Sequence, residues 1–283
     1  MDKSMLPVLV YSLKDLAGIN IKDRILEEVK YKKLGKIHDN LFIEIEEPKA
    51  YLIGLPEDIV YINYVHDIIP QASFFIYLSR HRSEKNIKSL TIHYPGNPGD
   101  EALYGGRPRE LAYTYPSLTR EMLKNLHKLA SSENLIEEFD VVLEVTHHGP
   151  TEVSKPVAFI EIGSSEEEWR YVKAGRVIAL TVLETLKKLE KNAMPHITPA
   201  LGFGGGHYAH KHTKLALNES IGYGHIFAKY SIEYVDEELI TQALQKTIEE
   251  YKIAVIEKKS IKGAKRRYIK EICKSKGLDI LEI

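Results

Sequence analysis

Cysteine is nearly absent from this 283-residue chain, Cys273 being its one thiol. An internal disulfide is therefore excluded, which fits a reducing compartment, and any metal has to be held by His, Asp and Glu. Long apolar runs are missing as well: no stretch approaches the ~18 residues that a membrane-crossing helix requires. Charge of one sign is lacking, since 39 Lys and Arg against 40 Asp and Glu leave a net −1. The molecule as a whole does not advertise a polyanionic partner. Common signatures are absent too: no Cys-x-x-Cys, His-Glu-x-x-His or Walker A pattern occurs, and no Gly-x-Ser-x-Gly elbow of a serine hydrolase. No repeat, low-complexity tract or Pro/Ser-rich linker divides the chain. Met1-Asp2-Lys3-Ser4-Met5-Leu6-Pro7 runs almost directly into the strand Val8-Leu9-Val10-Tyr11, leaving no room for a signal peptide. The expectation is a cytoplasmic protein with no membrane partner, 43% hydrophobic and able to bury a sizeable core.

What is present concentrates at Gly202-Phe203-Gly204-Gly205-Gly206-His207-Tyr208-Ala209-His210-Lys211-His212-Thr213. Four glycines are followed by three histidines within six residues. Glycine removes the Cβ, so backbone can adopt positive φ and lie directly against a ligand. Histidine brings a nitrogen that binds metal or moves a proton near neutral pH. A tight turn alone needs neither that many glycines nor any imidazole. The alternative is a mobile loop with incidental histidines; the density of both residue types favours an active-site loop.

Three strands deliver histidines at or near their ends. Phe139 to Thr146 reads as a buried strand and leads into His147-His148-Gly149-Pro150. Adjacent strand residues face opposite ways, so His147 and His148 share a ligand only if the chain has already turned, as Gly149-Pro150 suggests. Ser73 to Leu78 leads into Ser79-Arg80-His81-Arg82-Ser83, and Leu90-Thr91-Ile92 into His93. Ligands in open α/β sheets sit beyond the carboxyl ends of strands, which is where these residues are expected. Val157 to Ile162 carries one carboxylate, Glu161, in an apolar run. A buried Glu is costly unless paired or metal-bound, so Glu161 is a candidate ligand, orienting partner or general base; an edge strand would be the dull explanation.

Strands alternate with helical stretches at Ile21–Val29, Leu118–Leu129, Trp169–Leu189, Asp236–Glu250 and Ala264–Lys274. That order predicts a three-layer α/β/α fold with a mixed, largely parallel central sheet. One domain over residues 1–283 is expected. Ser165 and Glu168 have capping-box spacing, and Trp169, Val172, Ala179, Val182, Leu183 and Leu186 form an apolar stripe. The loop from Pro95 to Pro116, rich in Gly and Pro, is long enough to be a lid or binding loop. Lys258 to Lys276 forms a basic stripe, including Lys262, Lys265, Arg266 and Arg267, of the kind that contacts phosphates. A solvated helix face is the plainer account of such a run.

Ser79-Arg80-His81-Arg82-Ser83, Thr146-His147-His148-Gly149-Pro150, Glu161-Ile162-Gly163-Ser164 with Trp169, and Gly204-Gly205-Gly206-His207-Tyr208 together resemble the archaeal and plant-type D-aminoacyl-tRNA deacylase family. The resemblance keeps its order from roughly Val8 to Asp236 and departs at His210, where some members are expected to carry Pro. It implies hydrolysis of the ester between a D-amino acid and the 3′ end of tRNA, bound zinc, and a fold like peptidyl-tRNA hydrolases and nucleoside phosphorylases. On this reading zinc is held by His93, His147, His148 and His207. Glu161, His207 and the backbone of Gly204, Gly205 and Gly206 are catalytic. Arg80, His81, Tyr208 and His212 contact the substrate, and Lys262, Lys265, Arg266 and Arg267 contact tRNA, with a monomer or small homo-oligomer expected. A zinc amidohydrolase or peptidase acting on small substrates is the competing reading.

Overall fold

The computed structural model describes residues 5–37, 40–83 and 85–283, so Met1 to Ser4 of the N-terminal stretch lie outside the described residues. Along the chain, β1 (Pro7–Ser12) leads to α1 (Leu16–Glu28), then to β2 (Tyr31–Ile37), β3 (Asn40–Ile45) and β4 (Ala50–Leu55). A single turn, α2 (Val65–Ile68), precedes β5 (Phe74–Arg80) and β6 (Ser89–His93). The short strands β7 (Gly96–Asn97) and β8 (Glu110–Leu111) pair within the long loop before α3 (Pro116–Ser132), β9 (Asp140–Leu143) and β10 (Val157–Gly163). Then come α4 (Glu166–Trp169), α5 (Val172–Glu190), β11 (Thr198–Phe203), α6 (His210–Asn218) and β12 (Ile221–Phe227). The chain closes with α7 (Glu237–Gln245), β13 (Ile253–Ile256), α8 (Gly263–Ser275) and β14 (Asp279–Glu282).

Eight strands form one sheet in the order β2-β3-β4-β1-β5-β10-β6-β9. Its middle, β4-β1-β5-β10, is parallel; β6 runs antiparallel to β10, and β9 parallel to β6. The expected mixed, largely parallel sheet is present. A second sheet that the sequence reading did not separate, β12-β11-β13-β14, is parallel throughout.

Side-chain alternation sorts the core. On β5, Phe74, Ile76 and Leu78 join the cluster that α1, α3 and α5 cover, while Phe75 and Tyr77 point to the other face. That second face is covered more thinly, by Ile59, Ile62, Val65, Ile69 and Val153. The helical cluster also takes in Ala200, Tyr223, Ile226 and Val255 of the second sheet, so the two sheets share a core. Leu239, Ile240, Ile269 and Ile272 of α7 and α8 pack on that sheet's far side.

Several element boundaries depart from expectation for identifiable reasons. The helix expected over Trp169–Leu189 is two helices, because Tyr171 is extended (φ −69°, ψ 105°) between them. The capping box of Ser165 and Glu168 is formed. Trp169 is half-buried, its indole N–H donating to the His81 carbonyl at 3.0 Å. The helix expected to Glu250 stops at Gln245, since Thr114 pairs with the backbone of Lys246 and Ile248. α6 begins at His210 without a capping side chain, so no start signal marked it. The loop from Pro95 is tied down by the β7–β8 pair, by Asn97 donating to the carbonyls of Gly105 and Arg107, and by Thr151 accepting from Arg107 N–H.

The apolar stripe holds at Ala179, Val182, Leu183 and Leu186, but Val172 is 54% exposed. Leu183→Ala is expected to cost about 2–5 kcal/mol through lost burial and a residual cavity. Val172→Ala should change stability by less than about 0.5 kcal/mol. Urea unfolding of the two variants measures the contrast, and equal losses would mean the stripe is misassigned.

Candidate active site

Strand register sets the site. Phe159 pairs with His93, and Glu161 with both Thr91 and Ser79, so His93 and Glu161 share the face of Phe159, opposite α1, α3 and α5. Leu143 pairs with Ile92 on the helical face, which sends the next residue, Glu144, to the site face. Sequence reasoning placed the histidines beyond strand carboxyl ends. Because β6 opposes β10 and hence β5, His81 and His93 leave opposite ends of the sheet and instead converge over its face. His81 Nδ1 lies 3.0 Å from Glu144 Oε1 and 3.5 Å from Glu161 Oε2.

The expected strand to Thr146 leaves the sheet after Leu143 and binds the second one. Val145 N–H donates to the His207 carbonyl (3.0 Å), Ala209 N–H to the Leu143 carbonyl (2.8 Å) and Thr146 N–H to the Ile226 carbonyl (2.8 Å). This seam swings His207 over Glu144, Nε2 to Oε2 being 3.3 Å. Glu144 Oε2 is also 3.4 Å from His147 Nε2 and 3.7 Å from His93 Nδ1. Glu144 is the residue the sequence reading passed over. Its run, Phe139 to Thr146, also holds Asp140, whereas Glu161 is the one carboxylate of its own. Below it, buried His225 binds Thr146 Oγ1 through Nδ1 (2.9 Å) and the Ala112 carbonyl through Nε2 (3.0 Å), holding the base of the seam.

His147 and His148 turn toward one another because His148 takes a positive φ of 44°, a conformation in which histidine is over-represented among non-glycine residues. Each ring's Nδ1 faces a backbone carbonyl, Val145 at 2.8 Å and Gly149 at 2.6 Å. Carbonyls only accept, so both Nδ1 atoms carry the proton and both Nε2 lone pairs are free. His148 Nε2 lies 3.2 Å from His93 Nε2. Around a tetrahedral zinc with Zn–N of about 2.0–2.1 Å, two nitrogens sit about 3.3 Å apart. Among the described residues, three donor sets have atoms within 4.8 Å of one another: His93, His147 and His148; His81, Glu144 and His207; His93, Glu144 and Glu161. His207 thus groups with His81 and Glu144, where the sequence reading put it in one set with His93, His147 and His148.

Charge is divided sharply. Burial opposes ionisation of Glu144, but the positive charge of His81 and contacts from His207 and His81 hold its carboxyl well below the usual range. His81 is pushed up to about 11: burial works against its charge and Glu144, then Glu161, overcome it. Burial, reinforced by Glu144, raises Glu161 to about 7. Burial and neighbouring imidazoles drive His93 and His147 well below their ordinary value, and burial brings His148 to about 4. Three neutral imidazoles therefore stand beside one buried ion pair. Both Glu144 oxygens, His93 Nδ1, His207 Nε2 and His81 Nε2 are buried without an aligned hydrogen bond among the described residues. The lone pairs among them suit a cation, since each orphaned polar atom otherwise costs about 1–3 kcal/mol.

A family model for D-aminoacyl-tRNA deacylase matches residues 68–281. The D-aminoacyl-tRNA deacylase of Staphylothermus marinus is 38% identical over 273 residues, 95% of this chain and 96% of that one. That of Methanosarcina mazei is 40% identical over 281 residues, 97% and 91% of the two chains. The chain belongs to the D-aminoacyl-tRNA deacylase family. A crystallised conserved protein of unknown function has the same fold, with a TM-score of 0.90, 30% identity and coverage of 99% of this chain and 96% of that one.

The remaining candidate residues of this family member fall in different places. Tyr208 joins the cluster, its ring 5.5 Å from those of His81 and His207 and its hydroxyl 3.2 Å from Ser89 Oγ. Arg80 pairs with Asp58 and lies over the Trp169 ring. His212 is fully buried, bonding Tyr223 Oη at 3.0 Å beneath the glycine loop, and cannot touch a substrate directly. Gly204 and Gly205 have φ of +96° and +92°, and their N–H groups are already committed to the Phe227 carbonyl and Ser260 Oγ. Of the three glycines expected to face a ligand, only Gly206 keeps an N–H without a partner among the described residues. On α8, Lys265 donates to the Glu233 carbonyl and Arg266 to the Lys258 carbonyl, while Lys262 and Arg267 remain exposed. A cleft of about 860 Å³ between Tyr51, Tyr115 and Leu189 lies apart from these groups.

Two buried histidines make folding pH-dependent. Burial pushes both His212 and His225 down to about 4 from an ordinary 6.5, so below about 6.5 the unfolded chain takes up protons that the folded chain refuses. Stability should be full above pH 6.5 and fall as pH drops toward 4, by up to about 3 kcal/mol for each residue. Urea midpoints that stay constant from pH 7 to 4.5 would contradict this environment for the two rings.

Proposed function

We propose that the chain hydrolyses the ester joining a D-amino acid to the 3′ end of tRNA, in the cytoplasm, with zinc held by His93, His147 and His148. The 3.2 Å approach of His93 Nε2 to His148 Nε2, with the His147 and His148 rings fixed by backbone carbonyls, carries the metal assignment. Zinc bound there would supply Lewis acidity and bring a water's pKa to about 7. The other groups divide the remaining work. Glu161, poised near pH 7, accepts the proton of the water as its oxygen adds to the aminoacyl carbonyl carbon, and returns it to the ribose oxygen when the ester C–O bond breaks. His81, charged through its pairing with Glu144, keeps an Nε2–H without an acceptor among the described residues and offers it to the developing oxyanion. The Gly206 N–H is a second donor for the same charge. His207 and Tyr208 wall the site from the second sheet. Backbone without a Cβ rejects one stereoisomer by shape at little cost to the other.

RNA reaches this site along the basic segment. Ser260, at its start, is the residue that holds the Gly205 N–H, so phosphate contacts at α8 lie within one hydrogen bond of the glycine loop. Of Lys262, Lys265, Arg266 and Arg267, the first and last are not tied to neighbouring carbonyls among the described residues, and reversing both to Glu should raise KM with little change in kcat. Binding should also weaken steeply with salt. An unchanged KM and a flat salt response would return α8 to an ordinary solvated face.

Two measurements test the chemistry. D- and L-aminoacyl-tRNA compared side by side, with and without chelator, should show release of the D-amino acid only and its loss on metal removal. Full activity in metal-free protein removes zinc from the mechanism. Glu161→Gln should reduce turnover by about 10²–10⁴-fold while the protein keeps its metal content, separating proton transfer from ligation. A Gln variant of wild-type turnover would remove Glu161 as the base.

A further inference from the structure

Large aromatic side chains stand uncovered around the mouth of the histidine cluster. Tyr104 is 66% exposed and Tyr230 57% exposed, with Tyr61 and Tyr234 beside them in the fold. Single exposed aromatics are ordinary, but these sit on loops anchored to the site itself. The Tyr104 carbonyl accepts the Gly149 N–H at 2.9 Å, directly after His148. Next in sequence, Gly105 packs against Val60 and Tyr61. Lys229, preceding Tyr230, donates its N–H to the Gly205 carbonyl at 2.9 Å. Desolvation and the charge of Glu144 push the Tyr230 hydroxyl up to about 12.

Cations lie on the same two loops. Arg107 follows Tyr104 and Lys229 precedes Tyr230, both exposed. The turn carrying Tyr230 and Tyr234 also receives Lys265 of α8, whose ammonium donates to the Glu233 carbonyl at 2.9 Å. The Tyr234 ring in turn comes within 3.5 Å of the Cβ position of Gly99, at the root of the Tyr104 loop. Basic helix, tyrosine turn, tyrosine loop and histidine cluster are therefore joined in one sequence of contacts.

We propose that Tyr104 and Tyr230 form a stacking platform for the unpaired 3′-terminal base of tRNA, with Arg107 and Lys229 on its adjoining phosphates. Unpaired RNA ends are recognised by stacking on aromatic faces beside a basic track, and such stacking tolerates any base. This assignment rests on the tRNA reading given above and adds to it a subsite that fixes where the ester lies. The platform holds the terminal nucleotide; the acyl group then reaches the histidine cluster beyond it.

The test compares two deacylated tRNAs, one intact and one carrying an abasic ribose at its 3′ terminus, by fluorescence anisotropy at fixed salt. Wild-type protein should bind the intact tRNA roughly five- to a hundredfold more tightly. In Tyr104→Ala/Tyr230→Ala the two tRNAs should bind equally, and in Tyr104→Phe/Tyr230→Phe the preference should return. Both positions are exposed, and circular dichroism of each variant checks that the fold is kept. A wild-type protein that binds both tRNAs equally, or an Ala variant that keeps the preference, overturns the platform while leaving tRNA as the substrate. If wild type binds neither tRNA, the RNA reading falls and the platform with it.

Discussion

Everything in the site depends on a carboxylate that has no business being buried unless it is answered. Glu144 lies at the end of a strand, fully enclosed, with His81 on one oxygen and His93, His147 and His207 within 3.7 Å of the other. A bare carboxylate there would lose far more in desolvation than any single contact returns. The fold meets this by placing one imidazolium against it and keeping His93 and His147 neutral. The same compensation creates the chemistry, because neutral rings are the ones able to donate lone pairs. Stability and reactivity are answers to one electrostatic problem.

The second sheet is part of that answer. Its loop crosses to the first sheet through Val145, Thr146, His207 and Ala209, and the N–H groups of Val145, Thr146 and Ala209 bond backbone to backbone along this seam. Backbone seams fix register, and a slip of one residue would turn every attached side chain to the opposite face. The glycine loop gains from this. Its positive φ values let it fold back on Ser260 and Phe227, leaving His207 and Tyr208 as the groups that face inward.

Much of this was legible in the sequence, and what was not has physical reasons. Apolar alternation marked β1, β5 and β10, and histidines at strand ends marked His81, His93, His147 and His148. Glu161 stood out as a charge in an apolar run. Glu144 did not, because the run around it reads as continuous strand although the hydrogen bonding changes partner at that residue. Strand direction is likewise invisible in one sequence. The antiparallel turn of β6 is what carries the site from the sheet's end onto its face. Arg80 and His212 carry the right chemistry at the right positions along the chain, but Arg80 is held in a salt bridge with Asp58 and His212 is completely buried. The break at Tyr171 is a backbone choice that apolar spacing does not encode.

The scarcity of thiols also decides what kind of damage this centre withstands. Oxidants act on thiolates, and the donor sets here consist of imidazole and carboxylate alone. Cys273 is buried in the helical layer behind the second sheet, its thiol pushed up to about 12 by that burial, and offers no reactive sulfur in its place. Protons compete for imidazole as peroxide does not. Acidity, and not redox stress, is the condition that unmakes the site.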